Sequence, residues 1–282
     1  MPVKDKRSQS NKTQSESSKM GVARRFGKFT KLGMRLSHIP PISWIMKRLF
    51  DTKNSNGSLI PINKSLETPE NIALPLAITE HFINKASHIF LMTNCGCRKA
   101  NNCKDHDHSI GCIWLGRGVL KINISPELGH LATKEEALER ARLGYENGLV
   151  PSIGRLRADS WVMGTLPDTG HFMSLCHCCP CCCVLRYLKY GNPALGRILQ
   201  RMEGITVRVN RNICVGCGQC AKVCIFDAMK IVDGKAMINQ DKCKGCGRCE
   251  RKCPNEAIKI ALDDPSCIDE IITRISAHVN VS

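Results

Sequence analysis

Two stretches constrain this chain more than any others: "CVGCGQCAKVC" and "CKGCGRCERKCP". Each is a C-x2-C-x2-C-x3-C run, with cysteines 214, 217, 220 and 224 in the first and 243, 246, 249 and 253 in the second. The copies are offset by 29 residues, and their flanks keep the offset: Ala228 and Ile231 in "DAMKI" answer to Ala257 and Ile260 in "EAIKI". Three cysteines spaced two apart can wrap a tight loop around three corners of a compact centre, with backbone N–H groups turned toward its sulfur. Zinc ribbons use two separate C-x2-C pairs rather than a run of four, so the pattern points away from zinc.

Residues 204–262 closely resemble the bacterial-type ferredoxins that carry two [4Fe–4S] clusters. The resemblance covers about a fifth of the chain. It implies that the fourth cysteine of each run crosses to the other cluster. Cys214, Cys217, Cys220 and Cys253 would then hold one cluster, and Cys243, Cys246, Cys249 and Cys224 the other. Gly216, Gly218, Gly245 and Gly247 would relieve crowding where the backbone turns near sulfide. "ITVRVN" reads as a strand able to pair with "IKIAL", and "MKIVDGKAMIN" as a hairpin turning at Asp233–Gly234. One departure stands out. Cys253 is followed by Pro254, as the pattern wants, but Cys224 is followed by Ile225, which can shield a cluster from water.

Eight of nineteen cysteines are thus accounted for. Such a count fits either a secreted disulfide scaffold or intracellular metal ligation. The polar first twenty residues show no apolar h-region, and no run approaches a membrane span, so the expectation is a cytoplasmic protein with reduced thiols. Cys267 sits beside Ile268, Ile271 and Ile272 on a closing helix and reads as a small core residue. Ten cysteines remain as candidate metal ligands. Cys95, Cys97, Cys103 and Cys112 lie in "CGCRKANNCKDHDHSIGC", where Arg98 would favour ionised thiols. His106 and His108 bring zinc into view there, although a solvated loop is the simpler reading for both. Cys176, Cys178, Cys179, Cys181, Cys182 and Cys183 lie in "CHCCPCCC". Pro180 would start a helix with Gly191 as its stop, placing Cys181–Cys183 in the first turn at the positive end of the dipole. Six such crowded sulfurs do not fit one site, so some should reach the first group. Three outcomes are open: two further [4Fe–4S] clusters with two thiols left over, one unusual shared cluster, or one group holding zinc. The pairing of "CxCR" with a later octet, ahead of a dicluster module, resembles a little-characterised family of iron–sulfur proteins of anaerobes. That resemblance implies a common iron–sulfur role and carries no substrate.

The remaining organisation is simpler. The expected class is α+β, a ferredoxin-like dicluster module appended to a mainly helical or mixed cysteine-rich domain. Residues 1–70 read as a basic tail, amphipathic segment and linker, 71–203 as the cysteine-rich domain, 204–262 as the ferredoxin domain, and 263–282 as a C-terminal helix. Of the formal charge of +16, +10 falls in residues 1–50. There Phe26, Phe29, Leu32 and Leu36 recur at helical spacing among lysines and arginines. That is either an interfacial helix drawn to anionic lipid or a basic helix packed on its own domain or on an acidic partner. Nucleic-acid binding is not indicated, since stacking aromatics and DNA-binding motifs are missing. "TKEEALERARLGYENG" reads as a helix with a Thr133/Glu136 capping box, an apolar stripe of Ala137, Leu138, Ala141 and Tyr145, and Gly148 as its stop. The other glycines between 144 and 154 read as helix stops too. No Ser/His/Asp arrangement appears, and His171 and His177 read as packed or solvated. The functional expectation is an electron-transfer protein passing low-potential electrons between redox protein partners, through two C-terminal clusters and one or more further clusters. The alternative is an iron–sulfur reductase whose extra cysteine-rich site is catalytic.

Overall fold

The computed structural model describes residues 30–51, 53–62, 74–122, 124–262 and 266–282. Its frame is a seven-stranded sheet in the order β4-β2-β3-β6-β5-β1-β7. The strands are β1 (Asn56–Leu59), β2 (Ile89–Met92), β3 (Ile113–Leu115), β4 (Gly129–Leu131), β5 (Val150–Arg155), β6 (Met173–Cys178) and β7 (Leu199–Arg201). Every pairing is antiparallel except β1 with β7. The cysteine-rich body is therefore mixed, the second of the two forms expected, with its helices packed on a sheet whose short strands gave little alternation to read. Residues 51–70, expected as a linker, contain β1, which is buried along its whole length. Close approach explains how it fits: Gly57 of β1 faces Gly154 of β5, and a Cβ at Gly154 would lie 2.1 Å from the Asn56 carbonyl oxygen.

One face of the sheet carries Ile89, Leu91, Ile113, Leu115, Ile153, Met173 and Leu175. Against it pack α2 (Leu74–Lys85) through Ile78, Phe82 and Ile83, and α4 (Lys134–Glu146) through Ala137 and Ala141. The capping box starts α4 as expected: Thr133 Oγ1 accepts from the Glu136 N–H at 3.2 Å, and the Glu136 carboxylate accepts from the Thr133 N–H at 2.8 Å. Gly148 follows its end with φ +67°. Gly144 is not a stop. It lies within α4, and a Cβ there would fall 2.1 Å from the His177 ring. The closing helix α9 (Cys267–Ser276) buries Cys267, Ile271 and Ile275, four residues apart, in the same core. The tail is stitched down by Ser87 N–H to Val281 O and Asn280 N–H to Gly170 O, and Val279 and Val281 are buried in the same core.

The ferredoxin-like segment has the expected local structure. β8 (Ile205–Val209) pairs antiparallel with β11 (Ile258–Leu262), and β9 (Met229–Val232) with β10 (Lys235–Ile238). Asp233 and Gly234 both take positive φ, as a two-residue hairpin turn requires. Two short helices, α7 (Gln219–Val223) and α8 (Arg248–Arg251), each follow a left-handed glycine, Gly218 and Gly247. Among the described residues, no helix is long and apolar enough to cross a membrane. Residues 30–36 are helical and bury Thr30 and Met34, while Leu32 and Leu36 of the expected stripe stay exposed. Phe26 and Phe29 lie outside the described residues. Next comes α1 (Pro40–Leu49), which buries Met46 and exposes Trp44, Ile45 and Leu49.

Candidate metal centres

The cysteines of the duplicated runs gather in two groups. Cys214, Cys217, Cys220 and Cys253 line one small pocket closed by Ile231, Ala236, Ala257 and Ile258. The other four form a second group: Cys243, Cys246 and Cys224 each act electrostatically on Cys249, whose thiol they and burial push far up. Backbone amides reach the sulfurs in a repeated way. Ala228 N–H lies 3.3 Å from Cys224 Sγ, and Ala257 N–H, its counterpart 29 residues on, lies 3.2 Å from Cys253 Sγ. Ala236 N–H approaches Cys214 Sγ at 3.3 Å. Such donors stabilise thiolate and the anionic clusters thiolates hold. Gly216 is required by both conformation and space: φ is +67°, and a Cβ would lie 2.2 Å from the Gly234 carbonyl oxygen. Ile225 and Phe226 after the departing Cys224 are buried and pack with Cys224 and Cys246, so the missing proline is replaced by apolar cover.

All nineteen cysteines lack disulfides. The ten candidate ligands outside the runs sort into two constellations, and neither follows the sequence grouping. Cys103 leaves its neighbours and joins Cys179, Cys181 and Cys182; their four sulfurs all lie within 4.8 Å of one another. Cys95, Cys97 and Cys112 join Cys176, Cys178 and Cys183. Cys95 contacts the thiols of Cys112 and Cys97, Cys112 contacts Cys176, and Cys183 Sγ sits 3.2 Å from Cys178 Sγ. Both constellations join the first group to the octet, as the crowding of six sulfurs in the octet led one to expect.

Sheet geometry explains much of this sorting. Side chains alternate along β6, so Cys176 and Cys178 share one face and His177 the other. The β3–β6 register pairs Ile113 with Leu175, and one step further sets Cys112 opposite Cys176. The octet does not begin a helix as expected. β6 runs through Cys178, Pro180 to Cys182 form a turn, and a 3-10 helix spans Val184–Tyr190 with Cys183 as its N-cap. Gly191 does end it. The crowded turn sends Cys179, Cys181 and Cys182 one way and Cys183 back toward Cys178.

Buried cations tie these pieces together. Arg98 follows Cys97 on α3 (Gly96–Ala100) and is wholly buried. It donates to His177 O at 2.8 Å and to Ile110 O, and contacts the Cys179 thiol. Arg248 of α8, between Cys246 and Cys249, is also buried and donates to Cys178 O at 2.8 Å. Consecutive carbonyls at the end of β6 are therefore held by two guanidiniums, one from the first cysteine loop and one from the ferredoxin module. Arg98 Nε, Arg248 Nε and Arg248 Nη1 are buried without protein partners, which suits nearby anionic sulfur. Thiol hydrogen bonds from Cys112 and Cys97 pull the Cys95 thiol well below its ordinary range, and Arg98 adds to this. His177, on the other face of β6, is driven down to about 4 by burial, so it is neutral. His106 and His108 are half-buried, and neither joins a ligand group; His108 instead bonds Cys103 O at 2.8 Å. Arg248 is the functional residue that sequence reading missed. Its position inside a cysteine run hid its reach into the body.

Comparison with known proteins agrees with the C-terminal half. A family model described as "4Fe-4S binding domain" matches residues 206–229, and a second with the same description matches residues 236–259. Residues 206–259 are thus a pair of ferredoxin-type 4Fe-4S binding domains. No curated protein matches the chain.

Proposed function

We propose that this protein carries low-potential electrons between the two ferredoxin-type sites and a further iron–sulfur site in the body, held by Cys95, Cys97, Cys112, Cys176, Cys178 and Cys183. Clusters bound at such thiols supply reversible one-electron chemistry. One observation carries the reading. Cys224 and Cys246 of the second ferredoxin group pack in the same apolar cluster as Cys176, Cys178 and Cys183, and Ile225 and Phe226 are buried members of it. Arg248 fixes the register of the two parts through Cys178 O. The test is anaerobic purification of the full chain, with iron, zinc and sulfide counts and EPR during stepwise reduction. Twelve or more irons, with spin coupling beyond that of a dicluster module, support the reading; eight irons, with only the dicluster signals, sink it.

A second reading, a reductase, draws on a different feature. An open cleft of about 400 Å³ lies beside Cys224 of the second ferredoxin group and Pro180 of the octet, lined by Lys31, Arg186, Lys189, Lys222, Tyr187 and Tyr190. Four cations there would suit an anionic substrate. Oxidation of the reduced protein by an anionic acceptor, lost in Arg186→Ala, would favour this reading. Equal rates with both proteins favour the carrier.

A further inference from the structure

We propose that Cys103, Cys179, Cys181 and Cys182 hold a single thiophilic divalent ion, in a four-coordinate site distinct from every iron–sulfur cluster of the chain. Spacing carries the argument. Four thiolates around one tetrahedral ion with metal–sulfur bonds near ~2.3 Å stand about 3.8 Å apart. These four sulfurs all fall within 4.8 Å, with Cys103 Sγ and Cys181 Sγ at 3.4 Å. A cubane gives each thiolate its own iron, with sulfide between, and so holds its ligands farther apart. The same chain supplies the comparison. Among the described residues, neither ferredoxin quartet draws into so tight a group, and one quartet surrounds a pocket instead.

The surroundings suit one small ion with no open position. Cys103, Cys179 and Cys182 are buried, and Ile110 and Leu149 close over them. Cys182 N–H donates toward Cys179 Sγ at 3.3 Å, the kind of amide–sulfur contact that supports a ligating thiolate. Four thiolates on a divalent ion carry a net charge of −2. Arg98 lies against Cys179, and Arg186 feels the charges of Cys182 and Cys181, so two guanidiniums offset it. Without a bound ion, four thiolates this close would repel one another, which a divalent cation at their centre relieves. The ion would pin Cys103 at the far side of the first cysteine loop to the turn after β6. That pin holds Cys95, Cys97 and Cys112 in register with Cys176, Cys178 and Cys183. Full sulfur coordination and a closed shell are the pattern of structural zinc, and iron is the other ion that takes four thiolates.

The site can be tested on the full chain purified without oxygen. Metal and acid-labile sulfide are counted, and X-ray absorption is recorded at the zinc and iron edges. The expected result is one zinc per chain with four sulfur neighbours at about 2.3 Å and no second metal nearby. If the ion is iron, the zinc edge is empty and one iron per chain exceeds the count matched by sulfide. Cys181→Ser, at the part-buried corner, should lose this ion and leave the sulfide count unchanged. A wild-type protein with no such ion, or loss of about four sulfides with Cys181→Ser, overturns the proposal. The wild-type spectrum needs no variant to fold. The sulfide count also separates this site from the electron-transfer reading, which stands or falls on the six-cysteine group.

Discussion

Arg248 offers the sharpest perturbation, because one side chain joins the ferredoxin module to the body. Arg248→Met keeps most of the volume and removes both the charge and the bond to Cys178 O. A charged donor on a buried carbonyl is worth about 1.5–3 kcal/mol. At roughly 2–4 °C per kcal/mol for a chain of this size, the melting temperature should fall by about 3–12 °C. The redox effect is separate. Arg248 lies within the run that contains Cys246 and Cys249, and Cys178 and Cys183 also feel its charge. A unit charge at roughly 8 Å and an effective dielectric near 20 contributes about 2 kcal/mol. For a one-electron couple that is roughly 85 mV, at about 59 mV per tenfold change. Reduction adds negative charge, so losing the cation must lower the potential. EPR-monitored titration of the anaerobic protein should therefore show one ferredoxin-type signal moving down by tens of millivolts while the other stays. Arg248→Lys should keep the potential and lose part of the stability. A folded Arg248→Met protein whose potentials all stay within about 10 mV of wild type would refute the electrostatic reasoning.

Three further outcomes follow from single positions. Gly216→Ala places a methyl against Gly234 O in a left-handed turn, so the purified protein should lose about four irons while the group around Cys249 keeps its signal. Asp159 is raised to about 6, chiefly by burial and against a hydrogen bond from Ser174. The unfolded carboxyl ionises near 3.8, so the folded state binds the extra proton between about 4 and 6 and stability falls as pH rises through that window. Asp159→Asn should thus stabilise by about 1–3 kcal/mol at pH 7 in thermal melts, a gain that shrinks toward pH 4. Residues 30–49 expose Leu32, Leu36, Trp44, Ile45 and Leu49 beside Lys47 and Arg48, so the protein should sediment with anionic vesicles. Trp44→Ser with Ile45→Ser should weaken this at least several-fold, and binding to neutral vesicles of equal strength would show that charge has no part.

The legible parts of this fold were those whose cause is local. The capping box of α4, the Asp233–Gly234 hairpin and the pair of 4Fe-4S binding domains each depend on residues a few positions apart or on an internal repeat. The body's sheet was not legible, because β3, β4 and β7 are three residues long and cannot show a period. Gly144 and Gly154 look like helix stops in sequence. In the fold each marks a close approach to a partner far away in the chain, the His177 ring and the Asn56 backbone. Arg98 could be read as a cation beside thiols, yet nothing local showed that it would bond two carbonyls 12 and 79 residues away.

The ten extra cysteines show the same limit and lead to a last prediction. Crowding in the octet showed that some of its sulfurs must reach the first group, but not which: each spatial constellation draws on both groups. Metal binding at either one must therefore close the chain between residues 95–112 and 176–183, and this contact is long-range in sequence. Removing metal should release the loop that carries Cys95, Cys97 and Cys103 more than it disturbs α4, which has its own cap and core. Lys99 and Lys104 are exposed on that loop even in the folded protein. Trypsin should then cut chelated protein at Lys99 or Lys104 at least tenfold faster than metal-loaded protein, while α4 remains protected. If chelation opens α4 and the loop at the same rate, the metals are part of one global unit and the loop has no separate staple.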